Sequence, residues 1–180
     1  MKRFAIIGLG LMTLALSAPA QAHGPSRLKI DKTIDINAPV DKVWAIVADF
    51  DKINTWLPAV DKVDATGGNT PKTAKRVLHL KSGGVITEDL TKYNAEDHSF
   101  SYEIEKVDPA TVFPVHDYAS TMTVTANNAG GTTVEWRGAF YRGWMLNDPP
   151  KEQNDEAAMA AVDGVYSLGL STIKSLAEKK

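Results

Sequence analysis

Ile36-Asn37-Ala38-Pro39-Val40-Asp41-Lys42-Val43-Trp44 holds the end of a strand, a turn and the start of a helix. Upstream of it, Leu28, Ile30, Ile34 and Ile36 recur at even spacing within residues 27–36, the period of a strand with one buried face. Asn37-Ala38-Pro39 ends that strand. Pro39 suits the first position of a helix, where its missing N–H is not needed. Val43, Trp44, Ile46 and Val47 then give the helix an apolar face. A second short helix is predicted across Asp51 to Trp56. Leu57-Pro58 stops it, because a residue before proline is pushed out of the helical region.

From Val60 to Tyr141 the pattern is strands and turns. Ser82-Gly83-Gly84 separates the strands predicted over 74–81 and 85–93, a hairpin signal. Asn94 to Asp97 forms a second turn. In the strand that follows, Phe100, Tyr102 and Ile104 share one face, while Ser101, Glu103 and Glu105 share the other. Asn127 to Gly131 joins strands predicted over 118–126 and 132–141. This makes six or seven strands in an antiparallel meander. The tail is helical: Ala158, Val162, Val165, Tyr166, Gly169, Ile173 and Leu176 form one apolar stripe. Acidic residues stand near its start and lysines near its end, in accord with the helix dipole. Only a curved sheet is large enough to cover that stripe. The expected architecture is therefore α+β: a curved antiparallel sheet wrapped around a long C-terminal helix, with two short helices after the first strand. A pocket between helix and sheet is a default ligand site.

The chain's ends and charge narrow the setting. Lys2 and Arg3, the apolar run from Ala5 to Leu16, and Ala20-Gln21-Ala22 have the form of a secretory signal peptide cut after Ala22. The run is shorter than the roughly 20 residues that span a bilayer. The expected division is a signal over 1–22 and one domain over 23–180, working in the periplasm. The net charge of −2 becomes more negative once Lys2 and Arg3 are removed. Such a surface has no electrostatic reason to bind nucleic acid or anionic lipid. No later segment is apolar enough to span a membrane. The absence of cysteine excludes disulfides, thiol catalysis and thiolate metal sites.

The order of elements resembles the helix-grip fold of the Bet v 1-like, START-like superfamily, which includes the polyketide cyclase/dehydrase group. The resemblance rests on the stretch from Ile36 to Trp44, then Asp49-Phe50, Trp56-Leu57-Pro58 and Val60. A narrower resemblance, to the MxaD family of periplasmic accessory proteins of methanol oxidation, rests on four segments. They are His23-Gly24-Pro25-Ser26-Arg27, Phe113-Pro114-Val115 with Tyr118 and Ser120, the run from Val134 to Arg142, and Ala161-Val162 with Gly164, Tyr166, Gly169 and Leu170. It implies a non-enzymatic partner of methanol dehydrogenase and its c-type cytochrome. It supplies no catalytic residues and no cofactor. The alternatives are a carrier of a small apolar ligand and a pocket enzyme of the cyclase or hydrolase kind.

Individual residues carry the remaining chemistry. No local histidine pair has metal-ligand spacing; a new amino terminus at His23 could chelate copper, against the plain reading of a solvated end. There is no nucleophile elbow and no phosphate-binding glycine loop. Glu88 and Asp89 face opposite sides of their strand and cannot act as a pair. Glu103 and Glu105 are expected to face water. Glu135 and Arg137 share a face, pairing with each other outside the sheet or reaching Arg76 within it. Trp56, Arg76, Tyr102, Tyr118, Trp136 and Tyr166 are the expected pocket lining, weighed against plain core packing. Trp144, Met145 and Leu146, just before the last helix, form a partner-contact loop if exposed or a lid if folded down.

Overall fold

The computed structural model describes residues 24–179. The segment 1–22, expected to be a signal peptide, and His23 lie outside them. Two-residue alternation organises most of the chain. It produces β1 (Leu28–Ile36), β2 (Val60–Thr66), β3 (Lys75–Leu80), β4 (Val85–Asn94), β5 (Ser99–Lys106), β6 (Val115–Ala126) and β7 (Thr132–Arg142). Helix α1 (Val40–Val47) follows β1, and α2 (Asp155–Ala177) ends the chain. The second short helix is a 3₁₀ segment over Phe50–Thr55, broken at Lys52. β6 begins earlier than the sequence pattern indicates, because Asp117 adopts a left-handed φ of 46° and shifts the register between His116 and Ala119.

The strands make one seven-stranded antiparallel sheet in the order β1-β7-β6-β5-β4-β3-β2. The first strand thus pairs with the last, Leu28 opposite Phe140 and Ile36 opposite Thr132. α2 lies against β1 and β7 on the concave side. Its inward stripe of Ala158, Val162, Tyr166, Gly169, Leu170, Ile173 and Ala177 is buried. Burying each large apolar side chain contributes roughly 1.5–3 kcal/mol, so the stripe holds the helix in the sheet without a disulfide. Asn154 caps α2 by accepting the Ala157 N–H at 2.8 Å.

The Asn37-Ala38-Pro39 turn is where the ends of the fold meet. Thr132 donates to the Ala38 carbonyl at 2.7 Å, and the Asn37 N–H donates to the Glu178 carboxylate at 2.8 Å. Lys174 donates to the Asp35 carbonyl at 2.6 Å. The Pro39 turn therefore fixes the C-terminal end of α2 against the rim of the sheet.

Candidate functional site

Side chains of alternate strand residues point into the concave side. On β3 and its approach these are Ala74, Arg76 and Leu78; on β4 they are Ile86, Glu88 and Leu90. Arg76 and Glu88 are register partners, so their side chains meet on the inner face. Both are buried, with Arg76 at 1% exposure and Glu88 at 5%. Arg76 Nε donates to Glu88 Oε2 at 2.6 Å, and Nη1 donates to the Phe50 carbonyl at 2.7 Å. The guanidinium carbon lies 3.9 Å from the Phe50 ring centroid and 5.0 Å from that of Tyr102. The 3₁₀ segment thus supplies both an acceptor and an aromatic face for the buried cation. Arg76 Nη2 and Trp56 Nε1 are buried donors without a partner among the described residues. Burial pushes the Glu88 carboxyl above its ordinary value, with Arg76 opposing the rise.

Glu88 forms part of the wall of an internal cavity of about 80 Å³. The rest of the wall is apolar or aromatic, including Ile53, Leu57, Val60, Leu78, Ile86, Tyr102, Tyr118 and Trp136. Half-buried Ala59, Leu80, Phe113 and Val165 close its rim. Glu88 is the only charged group on the wall among the described residues.

Beside the cavity runs a chain of hydroxyl groups. Ser120 Oγ donates to the Arg137 carbonyl at 2.8 Å, so it must accept from Tyr166 at 2.8 Å. Tyr166 then accepts from Tyr118 at 2.7 Å, and Tyr118 from Tyr102 at 3.4 Å. Trp136 Nε1 donates to Ser120 at 2.9 Å and to Tyr102 at 3.2 Å. Every proton in this chain points toward one backbone carbonyl. Burial pushes the Tyr102 phenol up to about 12 and holds those of Tyr118 and Tyr166 well above their ordinary value. The chain is a set of neutral donors, without a base of its own. Two glycines make room for it. A Cβ at Gly138 would collide with the Tyr166 hydroxyl, and one at Gly169 would meet Trp136 Cζ3 at 2.7 Å.

Tyr102, Tyr118 and Trp136 stand on the cavity wall. The other three expected lining residues stand one layer back. Tyr166 stacks on Trp136 with centroids 4.1 Å apart, and Trp56 meets the Trp136 ring edge-on at 5.6 Å. Arg76 is drawn away from the wall by the Phe50 carbonyl and reaches the site through Glu88. Glu135 and Arg137 lie on the convex face, paired at 3.1 Å and away from Arg76. Glu103 and Glu105 are exposed. Glu88 itself was not among the expected site residues. The signal for it was present: Ile86 and Leu90 flank it at two-residue spacing and define the inward face. A wider, open groove of about 550 Å³ crosses the convex face between Lys29, Asp31, Ser101, Thr121 and Arg137, with no unpartnered buried group in it.

Trp144, Met145 and Leu146 are exposed, at 36%, 38% and 68%. They are nonetheless held firmly. Arg142 Nε donates to the Trp144 carbonyl at 2.7 Å, Nη2 to the Leu146 carbonyl at 3.1 Å, and Nη1 to Asp155 at 3.3 Å. Trp144 Nε1 donates to the Asn147 carbonyl at 3.1 Å.

A seven-stranded sheet gripping a C-terminal helix over an inward cavity defines the class as helix-grip. Residues 27–178 match the family described as polyketide cyclase / dehydrase and lipid transport, and the chain belongs to it. Among solved structures, XoxI from Bacillus cereus is 27% identical over 83% of this chain and 94% of its own, with a TM-score of 0.69. An uncharacterised protein from Bacillus thuringiensis is also 27% identical, over 82% of this chain and 97% of its own, at 0.67. The ZhuI aromatase/cyclase from Streptomyces sp. R1128 shares the fold at 17% identity, over 85% of this chain and 94% of its own, at 0.69.

Proposed function

We propose that this protein is a periplasmic accessory protein of methanol oxidation, of the MxaD kind, that acts by contact. Its partners are methanol dehydrogenase and a c-type cytochrome, whose interaction it promotes. The carrying observation is the loop Trp144-Met145-Leu146, three consecutive apolar side chains presented to solvent on a backbone that Arg142 fastens at two carbonyls. An aromatic anchor whose backbone is already ordered loses little entropy on docking, which is how hot spots form. The cavity supports the same reading, since about 80 Å³ is far below the roughly 300–1,000 Å³ of pockets that enclose drug-sized ligands. The export signal over 1–22 supports the periplasmic setting, and no helix among the described residues is long and apolar enough to cross a membrane.

The test is capture from periplasmic extract at low and moderate salt, followed by mass spectrometry of bound proteins. The expected result is recovery of a dehydrogenase or a c-type cytochrome, lost when Trp144, Met145 and Leu146 are all replaced by serine. Recovery that is indifferent to those substitutions, or a co-purifying small molecule with no protein partner, overturns the reading. A carrier of a small apolar ligand is the second reading, favoured by the largely apolar wall around Leu57, Leu78 and Ile86.

A further inference from the structure

The two edges of the sheet are finished differently. β1 is tied to α2 at both ends of its outer side: Lys32 pairs with Asp163 at 2.7 Å, and Lys174 donates to the Asp35 carbonyl. β2 forms the other edge. Beyond its ladder with β3, no backbone N–H or carbonyl of residues 61–66 hydrogen-bonds to any described residue. Asp61, Lys62, Asp64, Ala65 and Thr66 are exposed. A row of free backbone donors and acceptors is a template for another strand.

Charges on an edge strand ordinarily keep other strands away. Here their order favours one partner. Lys62 and Asp64 stand on one face of β2, paired at 2.6 Å, with His79 Nε2 at 2.8 Å from the other oxygen of Asp64. Val63 between them turns to the opposite face and packs against the core. Suppose the strand meets a copy of itself antiparallel, about a two-fold axis perpendicular to the sheet. Every side chain then keeps its face, so the axis must pass through a residue. β2 has seven residues, with Val63 in the middle. An axis at Val63 gives all of them an opposite: Val63 meets Val63, Lys62 of each copy meets Asp64 of the other, Asp61 meets Ala65 and Val60 meets Thr66. An axis at Lys62 or Asp64 leaves ends unpaired and sets like charges against each other at the centre. Unlike charges directly opposite strengthen a cross-strand pair and like charges weaken it. The register that pairs the whole strand is therefore also the one that sets both lysines against carboxylates. The β-bulge between Val60 and Lys62 lies at the start of the strand, outside this centre.

We propose that β2 is a self-association edge, through which two copies of this chain join antiparallel about an axis at Val63 and continue one sheet across the dimer. The inference rests neither on the cavity nor on the Trp144 loop. One strand from each copy covers less than the roughly 1,200–2,000 Å² of stable interfaces. The association is therefore weak and reversible, with a dissociation constant between about 10 μM and about 1 mM.

The experiment is sedimentation equilibrium of the purified protein across about 10 μM to about 1 mM, with two charge-reversal variants. The parent should show a reversible monomer–dimer equilibrium that weakens with added salt. Because the axis repeats each change, Lys62→Asp sets carboxylates against carboxylates at both positions, and Asp64→Lys sets lysines against lysines. Each variant alone should associate at least tenfold more weakly than the parent. An equal mixture of the two restores opposite charges at both positions. It should recover association as a mixed dimer, read by a fluorescent label on one variant. Both side chains are largely solvent-exposed, so Tm should stay near that of the parent and show that the variants fold. A parent that is monomeric at about 1 mM overturns the proposal. So does a dimer indifferent to both variants, or a mixture that fails to recover association.

Discussion

Replacing Glu88 by leucine removes one half of an ion pair whose partner cannot follow. Arg76 cannot lose its proton, and it remains buried at 1% exposure with Nε newly unpaired. At an effective dielectric of about 20, two unit charges about 4 Å apart attract by about 4 kcal/mol. Removing both ions from water costs several kcal/mol each, so the pair as a whole is close to neutral. Breaking it from one side costs about 3–5 kcal/mol. Glu88→Leu should therefore destabilise by about 3–5 kcal/mol, a large share of the 5–15 kcal/mol by which domains are stable. The double variant Arg76→Met with Glu88→Leu should lie within about 1 kcal/mol of the parent. Arg76→Met alone behaves differently, because an isolated buried Glu88 can take up a proton. Its cost should be smaller at pH 5 than at pH 8, whereas the cost of Glu88→Leu should fall as pH rises, because the parent loses a proton its native state holds more tightly. Urea unfolding followed by tryptophan fluorescence reads all four species. A Glu88→Leu cost below about 1 kcal/mol, or a double variant as damaged as the sum of the singles, would show the pair is not the closed buried unit the geometry describes.

Four further outcomes are expected. The folded-state value of Glu88 lies above the unfolded one, so the native state holds this proton more tightly. Its contribution to stability is fully present below the ordinary carboxylate range and is lost as pH rises through the raised folded value, by up to about 1.4 kcal/mol per pH unit. The parent compared with Glu88→Gln across pH 4 to 8 checks the sign, and a difference that grows with pH contradicts it. Gly138→Ala should cost about 1–3 kcal/mol by displacing the Tyr166 hydroxyl from Ser120 and Tyr118, seen as a lower Tm and altered near-UV circular dichroism. Asn154→Ala should cost about 1 kcal/mol through the lost cap, while serine substitutions at Met145 and Leu146 should leave Tm unchanged.

The fold was legible because its signals are local. Alternation in β1, the proline at the head of α1 and the stripe on α2 each lie within a few residues, and their order admits one way of covering the helix. The facing of Glu135 and Arg137 stayed open in the pattern; Trp136 between them takes the inward position, which sends both outward. What escaped was depth. The choice of Tyr102, Tyr118 and Tyr166 followed from the need of a buried hydroxyl for a partner, which is a local argument. That Tyr166 would end behind Trp136 depends on Gly138 and Gly169 opening space across two elements. Glu88 was read only against Asp89, its neighbour on the opposite face. Reading it against Ile86 and Leu90, and Arg76 against Ala74 and Leu78, places both charges inside. Their meeting depends on the β3–β4 register, which the Ser82-Gly83-Gly84 turn sets but does not spell out.

The pairing of the first strand with the last has a consequence for how the chain is made. Among the described residues β1 has no sheet partner except β7, so Leu28–Ile36 stays unpaired until Thr132–Arg142 has been synthesised. The Asn37 turn must wait longer still, for Glu178. Loops of that length close late, and sheets dominated by distant pairings fold in milliseconds to seconds. The leading strand therefore cannot lock into native structure early, and the sheet closes only after nearly all of the sequence has been made.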